Sequence, residues 1–158
     1  MNVKYELTSC DSENYKSVSE QCKKFLTDNW CRGLPLKICS ANSMIVTAYD
    51  NGEMVGVCDI IIGDIDWHNA GREKRMLIPT ILIKESHRGK GIGSKILEIV
   101  KYISSSENID ICAYVGDSNP HAQRTLELAG FTKIDDEYNY RFIQKKQVID
   151  DSVIEYKK

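Results

Sequence analysis

The chain has 158 residues, of which 42% are hydrophobic and 28% are charged, and its formal net charge is -2. These values are typical of a globular chain that can bury a hydrophobic core, and they argue against a disordered or fibrous protein. The slight negative charge gives no general attraction to nucleic acid or anionic membranes, and no stretch approaches the roughly 20 apolar residues that cross a bilayer. Because the first residues also lack a signal-peptide core, we expect one cytoplasmic domain with neither nucleic acid nor membrane as a partner.

The six cysteines and three histidines are scattered along the chain. No Cys-x-x-Cys pair occurs, and the histidines share no metal-ligand spacing with each other. We therefore expect free thiols that pack as small apolar side chains in a reducing compartment, and no metal.

The first part of the chain changes from a strand pattern to a helix pattern. Alternation of apolar and polar residues predicts a half-buried strand over residues 2–9. Apolar residues at three- and four-residue intervals then predict an amphipathic helix over residues 12–28. Residues 30–41, interrupted by Gly33 and Pro35, form either a short helix or a loop.

Two apolar runs follow, over residues 43–49 and 54–62, and Asp50-Asn51-Gly52-Glu53 separates them. Asn-Gly adopts positive φ at low cost, so the runs predict a hairpin. The polar stretch from Gly63 to Lys74 predicts an exposed loop, and a further strand is expected from Arg75 to Lys84.

The second part of the chain alternates helices with strands. The predicted elements are a helix from Gly93 to about Ser105, a strand over 109–115, a helix with Asn119 as N-cap, Pro120 at its first position and Gly130 after its end, and a closing hairpin over 131–134 and 138–144. The order β, α, (α), β, β, β, α, β, α, β, β, without a repeat or linker, predicts an α/β fold in one domain.

The segment with the strongest chemical signal runs from Ile81 to Ser94 and passes from a predicted strand through a glycine-rich turn into a helix. Gly89, Gly91 and Gly93 lie within five positions. Glycine lets the backbone turn tightly and approach a ligand, while the helix start offers unpaired N–H groups and the positive end of its dipole. Together these features predict an anion-binding site.

Two familiar phosphate-binding motifs do not fit this segment. A P-loop needs Ser or Thr after Gly-Lys, whereas Gly89-Lys90 is followed by Gly91. A dinucleotide fingerprint needs a third glycine where Ser94 stands.

The pattern Arg88-x-x-Gly91-x-Gly93 is instead similar to the pyrophosphate-binding signature of the GNAT family of N-acetyltransferases. Asn119-Pro120-His121-Ala122, followed by Gly130-Phe131, resembles the later motif of that family. The resemblance covers residues 43–145 well and residues 1–42 only by element order. It implies the GNAT acyl-CoA N-acyltransferase fold, a mixed and mostly antiparallel twisted sheet flanked by helices.

The same resemblance implies an acetyltransferase that moves the acetyl group of acetyl-CoA to a primary amine of a small molecule or a protein, by direct attack in a ternary complex. The backbone N–H of Ile83 would meet the thioester carbonyl. Asn119 either caps its helix alone or also contacts the pantetheine. The implied cofactor-binding residues are Ile81, Leu82, Ile83, Arg88, Gly89, Lys90, Gly91, Ile92, Gly93, Ser94, Asn119 and Ala122.

The chain departs from the family at both proton-transfer positions. The family's general-acid tyrosine is replaced by Leu126, and residues 76–83 contain no carboxylate to act as base. These departures keep open a non-catalytic acyl-CoA-binding sensor or scaffold. The substitutes are Tyr114, Tyr138 or Tyr140 as acid, and Glu73, Asp64, Asp66 or His68 as base.

The acceptor side of the site is the least constrained by sequence. Trp67, with Trp30 and Leu34, is a candidate wall of the acceptor pocket, and Asp64 and Asp66 would favour a cationic substrate. The tail from 147 to 158 can add a strand or pack on a second copy, which leaves a homodimer open. The identity of the amine and the length of the acyl group stay open as well.

Overall fold

A computed structural model describes residues 1–29, 43–67, 71–115, 120–134 and 140–144 of the chain. Within these residues a sheet has the strand order β1-β2-β3-β4-β5-β7-β6, and α-helices pack on both of its faces. The strands are β1 (Val3–Ser9), β2 (Ser43–Asp50), β3 (Glu53–Trp67), β4 (Gly71–Ile83), β5 (Ile111–Val115), β6 (Thr132–Ile134) and β7 (Tyr140–Gln144), and the helices are α1 (Tyr15–Asn29), α2 (Ile92–Glu107) and α3 (Pro120–Leu128).

All strand pairs are antiparallel except that of β4 with β5, which is parallel. This parallel pair is short, because its register extends only from Met76 opposite Ile111 to Ile78 opposite Ala113. Beyond Ile78 the described part of β4 has no strand partner on that side. A cleft therefore opens between the second half of β4 and the end of β5.

Each face of the sheet has its own apolar core, as the alternation of side chains along a strand requires. Cys58 and Ile60 of β3 point to the face that Ile96 and Leu97 of α2 cover. On the opposite face, Val57 packs in a cluster with buried residues of β2, β4 and α1. The helices α2 and α3 thus cover one face, and α1 covers the other.

The predicted hairpin between β2 and β3 is confirmed. Asn51 has a φ of 51° and Gly52 a φ of 82°, the two positive values that a type I′ turn requires. This turn fixes the register in which Asp50 pairs with Glu53.

The predicted loop from Gly63 to Lys74 is wrong. The strand β3 continues to Trp67, and β4 begins at Gly71, so the described residues 63–67 and 71–74 form the outer part of a long antiparallel ribbon. Its polar residues reflect solvent exposure, while cross-strand pairing supplies the structure. Asp64, for example, forms an ion pair of 3.6 Å with Arg72.

The other predicted elements are present, with shifted ends. The first helix begins at Tyr15 and α2 ends at Glu107, after which Asn108 adopts the left-handed conformation with φ 54°. The predictions for residues 30–41, for Asn119 as N-cap and for the tail after residue 144 lie outside the described residues. No helix in the described ranges is both long and apolar enough to span a membrane.

The described cysteines are free thiols, as expected from sequence. Cys22, Cys58 and Cys112 are buried, and burial raises the pKa of all three. For Cys22 and Cys112 the pKa reaches about 12. These three side chains therefore act as small apolar core residues near neutral pH.

Candidate functional site

A cavity of about 570 Å³ lies in the cleft beside β4. Its walls are the end of β4, the glycine-rich turn, the first turn of α2 and one side of α3. The structure brings ten of the sequence-predicted binding residues to this cavity: Ile81, Leu82, Ile83, Arg88, Gly89, Gly91, Ile92, Gly93, Ser94 and Ala122. Lys90 is exposed and does not line it, and Asn119 lies outside the described residues.

The glycine-rich turn owes its shape to two left-handed residues. Gly89 has a φ of 74° and Gly91 a φ of 84°, a conformation that residues with a Cβ adopt only at a cost of roughly 1–2 kcal/mol. Gly91 is also the N-cap of α2 and provides no capping side chain. The turn therefore leads into a helix start that no side chain of its own caps.

The first turn of α2 presents unpaired donors to the cavity. Its first intrahelical bond runs from Lys95 N to Gly91 O, at 3.0 Å. The N–H groups of Ile92, Gly93 and Ser94 precede that bond and have no carbonyl partner within the helix. Because these three residues line the cavity, their N–H groups and the helix dipole form a binding place for an anion.

Gly93 permits the close packing of α2 against α3 and β4. A Cβ at this position would lie 3.0 Å from Thr125 Cγ2 and 3.7 Å from Ile83 Cγ1. The missing side chain thus sets how closely the walls of the cavity approach each other.

Arg88 connects the turn to the end of β4. Its Nε donates a hydrogen bond of 3.0 Å to the carbonyl oxygen of Ile83. This bond holds the guanidinium at the cavity, next to the start of α2, where it adds positive charge to the anion site.

His87 lies beside Arg88 and joins the turn to the β2–β3 hairpin. Its Nε2 lies 3.0 Å from Asp50 Oδ2, and its Nδ1 lies 2.8 Å from Ser86 Oγ. The hydrogen bond with His87 lowers the pKa of Asp50 below its ordinary range. The pair therefore fixes the outer wall of the cavity.

The edge of β4 that faces the cavity has open backbone groups. Lys84 N donates to Val55 O at 2.8 Å, and hydrogen-bonded residues alternate with non-bonded ones along an antiparallel pair. The N–H groups of Ile83 and Ile81 therefore point away from β3. No described strand pairs with this part of β4, so both donors face the cleft.

One wall of the cavity was not predicted from the sequence. His121, Arg124, Thr125 and Leu128 line it from α3, together with Ala122. Their spacing of three and four residues places them on one helix face, and this periodicity was the signal that the sequence contained. His121 and Arg124 add further basic side chains to the cavity wall.

The structure does not bring the candidate bases Glu73 and Asp64 to this cavity. Glu73 lies on β4, not on a loop, and pairs with Arg75 at 3.4 Å. Eight residues of strand separate it from Ile81, which is roughly 26 Å at ~3.3 Å per residue. Asp64 lies on the same outer ribbon.

The structure describes the candidate acids less fully than these two candidate bases. Tyr114 belongs to β5, opposite Arg141, and its side chain lies outside the described part of the chain. Leu126, at the position of the family tyrosine, is fully buried in the core. The side chains of Asp66, Trp67 and Tyr140, and the whole of Trp30, Leu34, His68 and Tyr138, also lie outside the described residues.

Comparison with known proteins agrees with this geometry. The model of the acetyltransferase (GNAT) family matches residues 5–131. No curated protein matches the chain in sequence.

Solved structures of N-acetyltransferases share the fold. Arabidopsis thaliana NAA60 in complex with acetyl-CoA has a TM-score of 0.67 and 15% identity, over 90% of this chain and 98% of that chain. Arabidopsis thaliana Naa50 in complex with the bisubstrate analogue CoA-Ac-MVNAL has a TM-score of 0.63 and 21% identity, over 89% and 98%. The PaiA N-acetyltransferase of Thermoplasma acidophilum with coenzyme A has a TM-score of 0.64 and 14% identity, over 92% and 99%. The predicted fold class is thereby confirmed.

Proposed function

Because the chain belongs to the GNAT acetyltransferase family, we propose that it transfers the acetyl group of acetyl-CoA to a primary amine of a small molecule or a protein. One observation carries the proposal. The uncapped N-terminus of α2 and the open edge of β4 line the same cavity, so an anion site adjoins a row of backbone donors. Acetyl-CoA has the matching chemistry, since a diphosphate is joined to an extended arm that contains amides.

The diphosphate is assigned to the first turn of α2. The N–H groups of Ile92, Gly93 and Ser94 donate to its oxygens, and Arg88 adds a charge-assisted contact. Arg124 on α3 provides a second cation at the same cavity. The walls of the site are therefore positive where the ligand is negative.

The pantetheine arm is assigned to the open edge of β4. An extended chain with amide groups adds to a strand edge through main-chain hydrogen bonds, and Ile83 and Ile81 provide the donors. Ile83 lies next to the diphosphate site, because its carbonyl accepts the Arg88 bond. An arm that starts there passes Ile83 first. We therefore replace the expectation from sequence, which gave the oxyanion contact to Ile83, and assign that contact to the N–H of Ile81 and an arm contact to Ile83.

Acetyl transfer then proceeds by direct attack. The nitrogen lone pair of the neutral amine adds to the thioester carbonyl, and the N–H of Ile81 stabilises the oxyanion. Collapse breaks the C–S bond and releases the coenzyme A thiolate. A thiol with a pKa of about 8.5 leaves as thiolate without a strong acid, so Leu126 at the tyrosine position is compatible with turnover.

The ligands of the similar structures support this scheme for those proteins. NAA60 is described with acetyl-CoA, PaiA with coenzyme A, and Naa50 with an analogue that joins coenzyme A to a peptide. An analogue of that kind represents both substrates in one ternary complex. We extend this arrangement to the present chain as part of the proposal.

The second candidate is an acyl-CoA-binding sensor or scaffold without turnover, and Leu126 favours it because a buried leucine has no proton to donate. A thiol-release assay with acetyl-CoA separates the two. The acceptors are spermidine, kanamycin and the peptide Met-Val-Asn-Ala-Leu. We expect free thiol with at least one of them at a rate above the acceptor-free control. Tight binding of acetyl-CoA without thiol release from any of the three would favour the sensor.

A further inference from the structure

Asp59 is a buried carboxylic acid in the middle of β3. Its side chain is 1% exposed, and its Oδ2 has no hydrogen-bond partner among the described residues. Buried polar atoms almost always have a partner, so this oxygen is an acceptor whose donor is not among the described residues. Burial raises the pKa of Asp59 to about 7, and a hydrogen bond with the backbone of Ile60 only partly opposes this rise.

The strand register places Asp59 next to the proposed reaction centre. Asp59 pairs with Thr80 of β4, and Thr80 immediately precedes Ile81, whose N–H is assigned to the oxyanion. Counting in steps of two from the bond of Lys84 N to Val55 O makes this a hydrogen-bonded pair, whose Cα atoms are about 5.5 Å apart. The register shifts directly after this pair, between Asp59 and Ile61. The strand β4 alone thus separates the carboxyl group of Asp59 from the edge to which the thioester is assigned.

Asp59 points to the face of the sheet that is opposite α2 and α3. Val57, two residues earlier on β3, packs in the cluster under α1, whereas Cys58 and Ile60 pack under α2. Alternation along β3 therefore puts Asp59 on the α1 face.

The described surroundings of Asp59 on this face offer few polar partners. From α1 the nearby titratable group is Cys22, and the charge of Asp59 helps to raise the pKa of its thiol. From β2 it faces Ile45, and from β4 it faces Thr80. Burial and the Ile60 backbone are the influences on its own pKa, so no described cation stabilises its charged form.

The cover of this face changes at Asp59. On one side, Val57 and Leu82 are buried under α1. On the other side, Ile61 and Leu77 pair with each other and are both partly exposed. Asp59 thus lies at the boundary between the buried part of this face and its partly exposed part.

The two substrates must reach the thioester from different sides. The cavity assigned to acetyl-CoA is walled by α2 and α3, so the opposite face of the sheet is the side left for the amine in this scheme. We propose that Asp59 binds the ammonium group of a cationic primary amine on the α1 face of β3 and β4 and accepts its proton, directly or through one water. This inference rests on the proposed function and assigns the base to β3.

The proton and electron balance is complete with the two substrates. The ammonium group gives one proton to the Asp59 carboxylate, and the freed lone pair forms the C–N bond. The C–S bond breaks, and its electron pair leaves with sulfur. The nitrogen then loses a second proton, which neutralises the thiolate, while the proton on Asp59 passes to solvent.

The other candidate carboxylates fit this role less well. Glu73 is half-exposed and paired with Arg75, and Asp64 is exposed and paired with Arg72. Both lie on the outer ribbon, far from Ile81. A base that works near neutral pH is best served by a pKa near 7, and burial raises the pKa of Asp59 to about 7.

The test compares the parent chain with Asp59→Asn, which keeps the shape and removes the charge. The acceptor is whichever of spermidine, kanamycin or Met-Val-Asn-Ala-Leu gives the fastest thiol release. The matched control is Asp28→Asn, an exposed carboxylate on α1 paired with Lys24 at 2.8 Å. Coenzyme A binding is measured for all three proteins by calorimetry, and kcat and kcat/KM for the amine are followed from pH 6 to pH 10.

We expect Asp59→Asn to bind coenzyme A like the parent and to lose roughly 100-fold or more in kcat at pH 7, as for removal of a general base. The rise of the parent's kcat/KM around pH 7 should vanish in this variant, and its deficit should shrink near pH 10, where free amine is abundant. Asp28→Asn should match the parent throughout.

The outcomes separate the inference from the proposed function. An active parent together with an equally active Asp59→Asn of unchanged pH profile overturns the role of Asp59 and leaves the acetyltransferase proposal in place. A parent that releases no thiol overturns both. If Asp59→Asn does not fold, the parent's profile decides, because an active parent whose kcat/KM does not rise between pH 6 and pH 8 also overturns the inference.

Discussion

The buried carboxyl of Asp59 should make the stability of the protein depend on pH in a way that Asp59→Asn removes. Burial raises the pKa of this group from 3.8 to about 7 in the folded chain. The folded state therefore holds a proton that the unfolded chain has lost, and the free energy of unfolding falls as pH rises from about 4 to about 7. Each pKa unit is worth about 1.36 kcal/mol, so the full effect is on the order of 4 kcal/mol.

Most of this change falls in an accessible range. At pH 5 the pKa of Asp59 in the folded chain still exceeds the pH by about two. The free energy of unfolding therefore falls by roughly 3 kcal/mol between pH 5 and pH 8. Asparagine does not titrate. We therefore expect the free energy of unfolding of Asp59→Asn, relative to the parent, to rise by about that amount over the same interval.

Urea unfolding followed by circular dichroism, at several pH values from 5 to 8, measures this difference. Asp28→Asn is the control, because its exposed ion pair with Lys24 contributes little to stability in water. This variant should give a curve close to that of the parent. Parallel curves for Asp59→Asn and the parent would refute the reasoning, because they would mean that Asp59 is as ionised in the folded chain as in the unfolded one.

Three further predictions concern the walls of the cavity. Gly93→Ala should lower the free energy of unfolding in urea by roughly 1–3 kcal/mol through overpacking. Thr125→Ser in the same chain should recover most of that loss, because the contact at 3.0 Å is with Thr125 Cγ2. If the effects of the two substitutions on the free energy of unfolding simply add, this contact is contradicted. Gly91→Ala should weaken coenzyme A binding in calorimetry as well as stability, whereas Gly52→Ala, also at positive φ, should reduce stability alone. Arg88→Ala should raise the Kd for coenzyme A by roughly 10- to 100-fold, as expected for one charge-assisted hydrogen bond, and an unchanged Kd would exclude Arg88 from the anion site.

The features that the sequence predicted well depend on local chemistry. The hairpin at Asn51-Gly52 and the glycine-rich turn from Arg88 into α2 follow from residues that tolerate positive φ and from the start of an amphipathic helix. These rules act within a few positions, so no knowledge of distant contacts is needed. The motif between Arg88 and Ser94 therefore indicates one wall of the cavity from neighbouring residues alone.

The features that the sequence missed depend on distant contacts. The outer ribbon of β3 and β4 contains polar residues such as Asp64, which favour a loop until cross-strand pairing is known. In the sequence, Asp59 is only a polar residue within an apolar run. Its burial, its lack of a partner among the described residues and its nearness to Thr80 result from the packing of α1 and the register of β4. Single-domain organisation, cytoplasmic location, absence of metal and the homodimer stay predictions.

Main-chain donors between Arg88 and Ser94 that bind a diphosphate are the basis of the proposed function. Isothermal calorimetry with coenzyme A, and with pantetheine, which lacks the diphosphate together with the adenosine 3′-phosphate that it carries, tests this claim most directly. We expect saturable binding of coenzyme A and much weaker binding of pantetheine. Equal affinity for the two, or no heat with coenzyme A at millimolar concentration from folded protein, would contradict the claim.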